Sequence, residues 1–241
     1  MKTTSSIIAV AVASSLLFVS CGGKKQAQPT AKQPTMTLEQ LQEGAKNNDK
    51  NALFELGAVY HDGQSGVTKD LAKAREYFEQ AAKQGEVRAQ FNLGVMYYTG
   101  EGVKQNYATA QSWFEKSAAQ NNPRAQFNLG VMYYRGEGIK QDFKKARELF
   151  QSAALQGFNE AQFNLGVMDA KAEGAEQDVG KAYAWFSLSK EGGNKNAEEA
   201  MKNIERALKP EEIEIVKKMA VALKEEVKKI QEKLQAQSAT K

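Results

Sequence analysis

Ser187 and Lys190 stand three residues apart in Ser187-Leu188-Ser189-Lys190, a spacing that puts a hydroxyl nucleophile and an amine on one face of a helix, as acyl transfer requires. No Ser-Asp-Asn or Lys-Thr-Gly follows and no oxyanion-hole loop is evident, so no catalytic residue is assigned there. His61 is the sole histidine and Cys21 the sole cysteine. That excludes an intrachain disulfide and a Cys/His zinc cage, and it leaves any nucleophile only His61 as an imidazole base. His61 itself reads as a surface residue at the end of a helix. Acidic residues are not grouped as a metal site needs, and no phosphate-binding or dinucleotide-binding motif occurs, so no metal and no cofactor is expected. The charge balance is 33 basic to 29 acidic residues, a net +4 without a concentrated basic stripe, and nucleic acid is not an expected partner. The expected activity is recognition, not catalysis.

The elements that would position such recognition begin with an address. Met1-Lys2 is a short positive region, and Ile7 to Val19 is an apolar stretch shorter than the roughly 20 residues a spanning helix needs. Cys21 follows Leu16-Leu17-Phe18-Val19-Ser20 and precedes Gly22-Gly23. This resembles the lipobox of bacterial lipoproteins, with Phe18 where a leucine is usual. The resemblance implies that Cys21 is acylated and anchors an exported chain to a membrane; the other reading is an ordinary signal peptide that contains a cysteine. Two or more acyl chains give stable attachment where one does not. By the same resemblance, Gly22 in place of an aspartate permits transfer to the outer membrane, on the periplasmic side, in a two-membrane organism. Residues 22–36 are rich in Gln, Lys, Pro and Thr and read as an extended spacer.

At 41% hydrophobic residues the remainder can bury a core. The string AQFNLGVM recurs at 89–96, 125–132 and 161–168, with ALFELGAV at 52–59 as a weaker relative, and Gly57, Gly94, Gly130 and Gly166 are 37, 36 and 36 residues apart. Such a period means stacked helical units. In each copy a first helix carries an apolar face such as Ala89, Leu93, Met96 and Tyr97, with Gly94 admitting a close neighbour. A glycine-rich turn follows. A second helix starts at Asp70, Asn106, Asp142 or Asp178, residues that cap free N–H groups, and stops at Gly85, Asn121, Gly157 or Gly193, which tolerate a left-handed backbone. In the fourth copy Asp169 replaces Tyr60, Tyr97 and Tyr133, and Ala172 replaces Gly100 and Gly136. Either that surface is less covered or the helix runs on through its turn; an atypical terminal repeat is the simple reading, a special binding site the alternative.

The order Ala-x-x-x-Leu-Gly, Gly-x-Gly, Asp, Lys-Ala, Trp/Tyr-Phe, Ala-Ala and Gly resembles the Sel1-like repeat of the tetratricopeptide superfamily. The resemblance implies an all-α fold, a right-handed alpha-alpha superhelix (solenoid) with a concave groove. It also implies that one stripe of the first helices lines that groove: Arg88, Asn92, Val95 and Thr99 in repeat two, Arg124, Asn128, Val131 and Arg135 in repeat three. By that resemblance Asn92, Asn128 and Asn164 bond the backbone of an extended protein or peptide, Arg88 and Arg124 meet an acidic group, and Tyr98 and Tyr134 are apolar anchors. The competing reading is that the asparagines bond backbone or water within the repeat. Some relatives are linked with β-lactam binding, chiefly a cysteine-rich branch whose paired cysteines this chain lacks; a β-lactam-binding, enzyme-like protein is the remote alternative.

The organisation read from the sequence is a lipoprotein signal peptide at 1–20, a linker at 21–36, an N-terminal capping helix at 37–50, repeats at 51–88, 89–124, 125–160 and 161–196, and C-terminal capping helices at 197–241. Ile213, Val216, Ala220, Leu223, Val227, Ile230 and Leu234 keep a strict heptad spacing. Either this last helix folds back over the final repeat, or 213–234 self-associates as a coiled coil. Ile215, Met219 and Ala222 add a second apolar stripe through which its first half can dock, while its second half, with only the narrow seam, is free to fold back or to project. The functional reading is a non-enzymatic protein-binding scaffold. A structural adaptor of an envelope secretion or polysaccharide-export assembly, using its convex face and last helix, is the alternative.

Overall fold

In the computed structural model residues 36–239 are described, and Cys21 with its flanking leader and spacer lies outside them. Among the described residues are eleven helices and no strand: α1 Leu38–Lys46, α2 Lys50–Asp62, α3 Leu71–Lys83, α4 Val87–Thr99, α5 Tyr107–Ala119, α6 Pro123–Arg135, α7 Phe143–Leu155, α8 Asn159–Lys171, α9 Val179–Glu191, α10 Lys195–Ala207 and α11 Pro210–Ala239. The fold class is all-α. None of these helices is long and apolar enough to cross a membrane. The chain divides into two compact units, residues 36–129 with 137–139 and residues 130–136 with 140–239.

Helix limits follow from local chemistry. The side chains of Asp70, Asn106, Asp142 and Asp178 each accept the backbone N–H three residues on, at 2.8–3.0 Å, satisfying an otherwise orphaned donor. The second helices stop at Gly85, Asn121, Gly157 and Gly193, all at positive φ. Between the helices of a repeat, Gly63 and Gly100 take the left-handed conformation that ends α2 and α4. α8 ends at Lys171 in the same way, but with Ala172 at φ 59°. It does not run on through its turn.

The first unit is built on Phe78, Leu53, Ala81, Ala89 and Leu93, with Leu41 of the capping helix α1 set against Leu56 and Val59. Helix pairing is tight because the repeated glycine has no side chain. A Cβ at Gly57 would lie 2.7 Å from the Phe78 ring.

In the second unit the same device recurs, with a Cβ at Gly130 falling 2.7 Å from Phe150 and one at Gly166 falling 2.6 Å from Phe186. Its core joins Phe163, Phe186, Ala197 and Ile204 to Val216 and Ala220 of α11. The heptad seam of α11 is therefore covered by its own chain, along α9 and on to α7. The second half of α11 stays against the chain as far as Val227, which is buried, and Gln231, which reaches Gly157 beyond α7, and residues 232–237 are exposed. Of the stripe Ile215, Met219, Ala222 only Met219 docks, against Gly180 of α9, while Ile215 is 58% exposed. Val216, Ala220 and Val227 of the seam are buried within the chain, while Leu234 near its end is 40% exposed.

Candidate functional site

The repeated string of the first helices has a job for almost every residue. Ala89, Phe91 and Leu93 are buried in the core. Gln90 and Gln162 reach back to the C-terminal carbonyls of the preceding helix, donating to Ala82 O at 3.2 Å and Ala154 O at 3.1 Å. At the other end of the hairpin, Gln105, Gln141 and Gln177 donate to Tyr98, Tyr134 and Ala170 carbonyls, each at 2.7 Å. These bonds close helix ends that would otherwise leave carbonyls unmet.

Asparagine is the exception. Asn92, Asn128 and Asn164 are all buried. Asn128 Nδ2 donates to Arg124 O at 3.0 Å, a turn back on its own helix. Asn92 Oδ1 and Asn164 Nδ2, one in each unit, are enclosed and meet no hydrogen-bond partner. A buried amide atom without a partner costs roughly 1–3 kcal/mol, so two at equivalent positions call for an explanation.

The other expected groove residues are placed less uniformly. Val95, Arg124 and Arg135 are half-buried, and Val131 is buried. Arg88 is not waiting for an acidic ligand: its guanidinium lies over the Phe54 ring and pairs with Glu55 at 2.9 Å and Glu86 at 2.7 Å. Glu55 occupies in the first repeat the position that asparagine holds in the others, so the acid that faces Arg88 comes from the neighbouring repeat. Tyr98 and Tyr134 are not open anchors either. Their rings are buried and their hydroxyls donate to Glu137 and Glu173 in the glycine-rich turn of the next repeat. Burial and the Glu173 bond together hold the Tyr134 phenol above its ordinary range.

This staple explains the lone histidine. His61 sits at the repeat position of Tyr98 and Tyr134, its Nε2 is 3.6 Å from Glu101, and its Nδ1 is 2.7 Å from Asp62. It is largely covered, not a surface residue. The 36-residue recurrence of Glu101, Glu137 and Glu173 carried the signal, and only the pairing across repeats gives it meaning. Ser189 is likewise structural: it is buried and its hydroxyl donates to Asn159 O at 2.7 Å, as Ser117 does to Val87 O at 3.0 Å in the equivalent place.

Asp169 is the residue that sequence reasoning misplaced. It is 1% exposed, and Arg147 of the preceding helix α7 donates to its Oδ1. The surface is more covered there, not less. Burial raises the Asp169 carboxyl above its usual range while the Arg147 bond opposes the shift. Among the described residues no group of His, Cys, Asp and Glu could hold a metal ion.

Residues 50–86, 87–122, 123–158 and 159–194 each match the family profile described as Sel1 repeat. Their limits lie one or two residues before those read from the periodicity, because α4, α6 and α8 start ahead of the alanine that opens the repeated string. Two of the similar solved structures are Sel1-type repeat proteins. A protective antigen of uropathogenic Escherichia coli strains, described as displaying an SLR fold, is 40% identical over 66% of this chain and 34% of its own, with a TM-score of 0.64. A Sel1 repeat protein from Oxalobacter formigenes is 32% identical over 69% of this chain and 48% of its own, with a TM-score of 0.64. The similarity thus spans about a third and about half of those two proteins. No curated protein matches the chain.

Proposed function

Since the chain belongs to the Sel1 repeat family, a scaffold class built for protein interaction, we propose that it captures an extended protein segment on the asparagine-bearing faces of its first helices. The observation that carries this reading is the pair of enclosed, unpartnered amide atoms, Asn92 Oδ1 and Asn164 Nδ2. With no internal partner to lose, each amide is free to turn outward, where an acceptor and a donor are what a peptide backbone satisfies. Val95, Arg124 and Arg135 of the same repeated stripe are partly accessible. In this reading Cys21 carries the lipid that holds the scaffold to the bacterial envelope, and the spacer at 22–36 sets its distance from the bilayer.

The test is to replace Asn92 and Asn164 by alanine, singly and together, in the full chain. Because neither unpartnered atom contributes a bond, the variants keep their thermal stability while capture of the partner in cells is lost. Loss of stability with capture retained would sink the proposal. Anchoring is tested separately by radiolabelled fatty acid incorporation, which Cys21→Ser abolishes.

A second reading rests on α11, whose outer face shows Ile215 at 58% and Val221 at 63% exposure. In it the last helix joins an envelope assembly and the repeats act as a spacer. Photo-crosslinkers at positions 128 and 234 separate the two: adducts only from 128 support capture by the repeats, and adducts only from 234 support the adaptor.

A further inference from the structure

Helix α11 roofs a trough in the second unit, and beneath it lies a cavity of about 580 Å3. Its apolar walls come from Leu155 of α7, Leu165 of α8, Trp185 of α9 and Leu223 of α11. Arg147 and Lys181 bring two cations to the lining, against one carboxylate, Glu226. Volume and composition fall in the range of small-molecule sites, which are mostly apolar with a few placed polar groups.

The arginine sets the chemistry. One arm of the Arg147 guanidinium is held by Asp169, which lies behind it and is not part of the lining. Its Nη1 is enclosed and has no partner. That nitrogen and the unmet Asp169 Oδ2 beside it are closed off, but the Arg147 side chain keeps 19% of its surface accessible and lines the cavity, so an acceptor there meets a guanidinium already oriented by a buried acid. The corresponding place in the first unit shows what is particular here. Arg75 and Tyr97 occupy the same repeat positions as Arg147 and Asp169, and the space beside them is lined by Gly102, Val103, Lys104, Gln105 and Asn106, all from the turn. There the arginine has neither a tyrosine replaced by an acid nor a roofing helix with apolar side chains.

We propose that the cavity beneath α11 binds a small apolar monocarboxylate, its carboxylate on Arg147 and its hydrocarbon body against Trp185, Leu155, Leu165 and Leu223. The site is separate from the asparagine-bearing faces and does not depend on them.

The probe is sodium octanoate, with 1-octanol and octylammonium as length-matched controls, titrated into the full chain carrying Trp113→Phe so that fluorescence reports on Trp185. Octanoate gives a saturable change and binds at least ~10-fold more tightly than octanol, the value expected of a charge-assisted hydrogen bond, and octylammonium is weaker still. Leu223→Glu, which sets a second carboxylate in the apolar lining beside Glu226, removes octanoate binding. The double variant Arg147→Met with Asp169→Tyr restores the tyrosine of the other repeats and leaves no lone buried charge; it weakens octanoate ~10-fold and spares octanol. Equal affinity for the three probes, no saturable change with octanoate at millimolar concentration, or octanoate binding that survives Leu223→Glu unchanged would each overturn the proposal. The comparison among probes needs no variant beyond the silent Trp113→Phe, so it stands even if the cavity variants fold poorly.

Discussion

Ala172 turns through φ 59° where Gly63 and Gly100 end the corresponding helices. An L side chain there costs ~1–2 kcal/mol, part of which glycine returns as unfolded-state entropy. Ala172→Gly is expected to stabilise the second unit by ~1 kcal/mol in urea denaturation; an unchanged or lower midpoint would show that the turn is not strained. Asp169 supports the opposite kind of prediction. Its removal strands Arg147 in a covered place, so Asp169→Ala should cost ~3–5 kcal/mol, and far more than the compensated Arg147→Met, Asp169→Tyr pair. The phenols give a pH signature. Tyr134 and Tyr183 are raised by burial and by their bonds to Glu173 and Glu205, so the folded state holds its phenol protons more firmly than the unfolded chain. That stability is fully present below the ordinary phenol value of about 10 and is lost as pH rises through the folded value. Unfolding free energy followed from pH 8 upward should fall beyond about 10, and Tyr134→Phe with Tyr183→Phe should flatten the fall.

At the scale of the elements, each hairpin is closed by a glycine on one helix and a phenylalanine on the next. Alanine improves helix propensity by ~1 kcal/mol over glycine, but a Cβ 2.7 Å from Phe150 must displace a ring that is itself fully buried. Gly130→Ala should therefore be net destabilising by ~1–2 kcal/mol in thermal or chemical denaturation. Gly193→Ala meets no atom within 4 Å, so it tests left-handed strain alone, apart from crowding. Between hairpins the ties are polar and periodic: glutamine to helix-end carbonyl, and tyrosine or histidine to the glutamate of the next turn. Within each unit they recur with the 36-residue period of the sequence.

At the scale of the molecule, the two units should respond differently to loss of the last helix. Val216, Ala220 and Val227 of α11 are buried within the second unit, so deleting 210–241 exposes that unit's core. Amide hydrogen exchange should show protection falling across α8, α9 and α10 while α2 to α4 keep theirs. Uniform loss in both units would mean that the chain unfolds as one cooperative body.

What the sequence determined by itself was everything with a local cause. The 36-residue period, the four capping residues, the left-handed stops, the close approach at Gly94 and the all-α class could be read because each depends on residues within one hairpin. The tertiary structure decided what depends on neighbours in space. It turned Tyr98, Tyr134 and His61 into staples, paired Arg88 with Glu55, and buried Asp169 against Arg147. It also folded the seam of α11 onto α9. A heptad stripe looks the same whether its own chain or a second one covers it, and a side chain's partner 39 residues away leaves no trace in local periodicity. The asparagines lie between the two. Their recurrence was plain in the repeated string, but only the packed structure distinguishes Asn128, bonded to its own helix, from Asn92 and Asn164, each enclosed with an amide atom unmet.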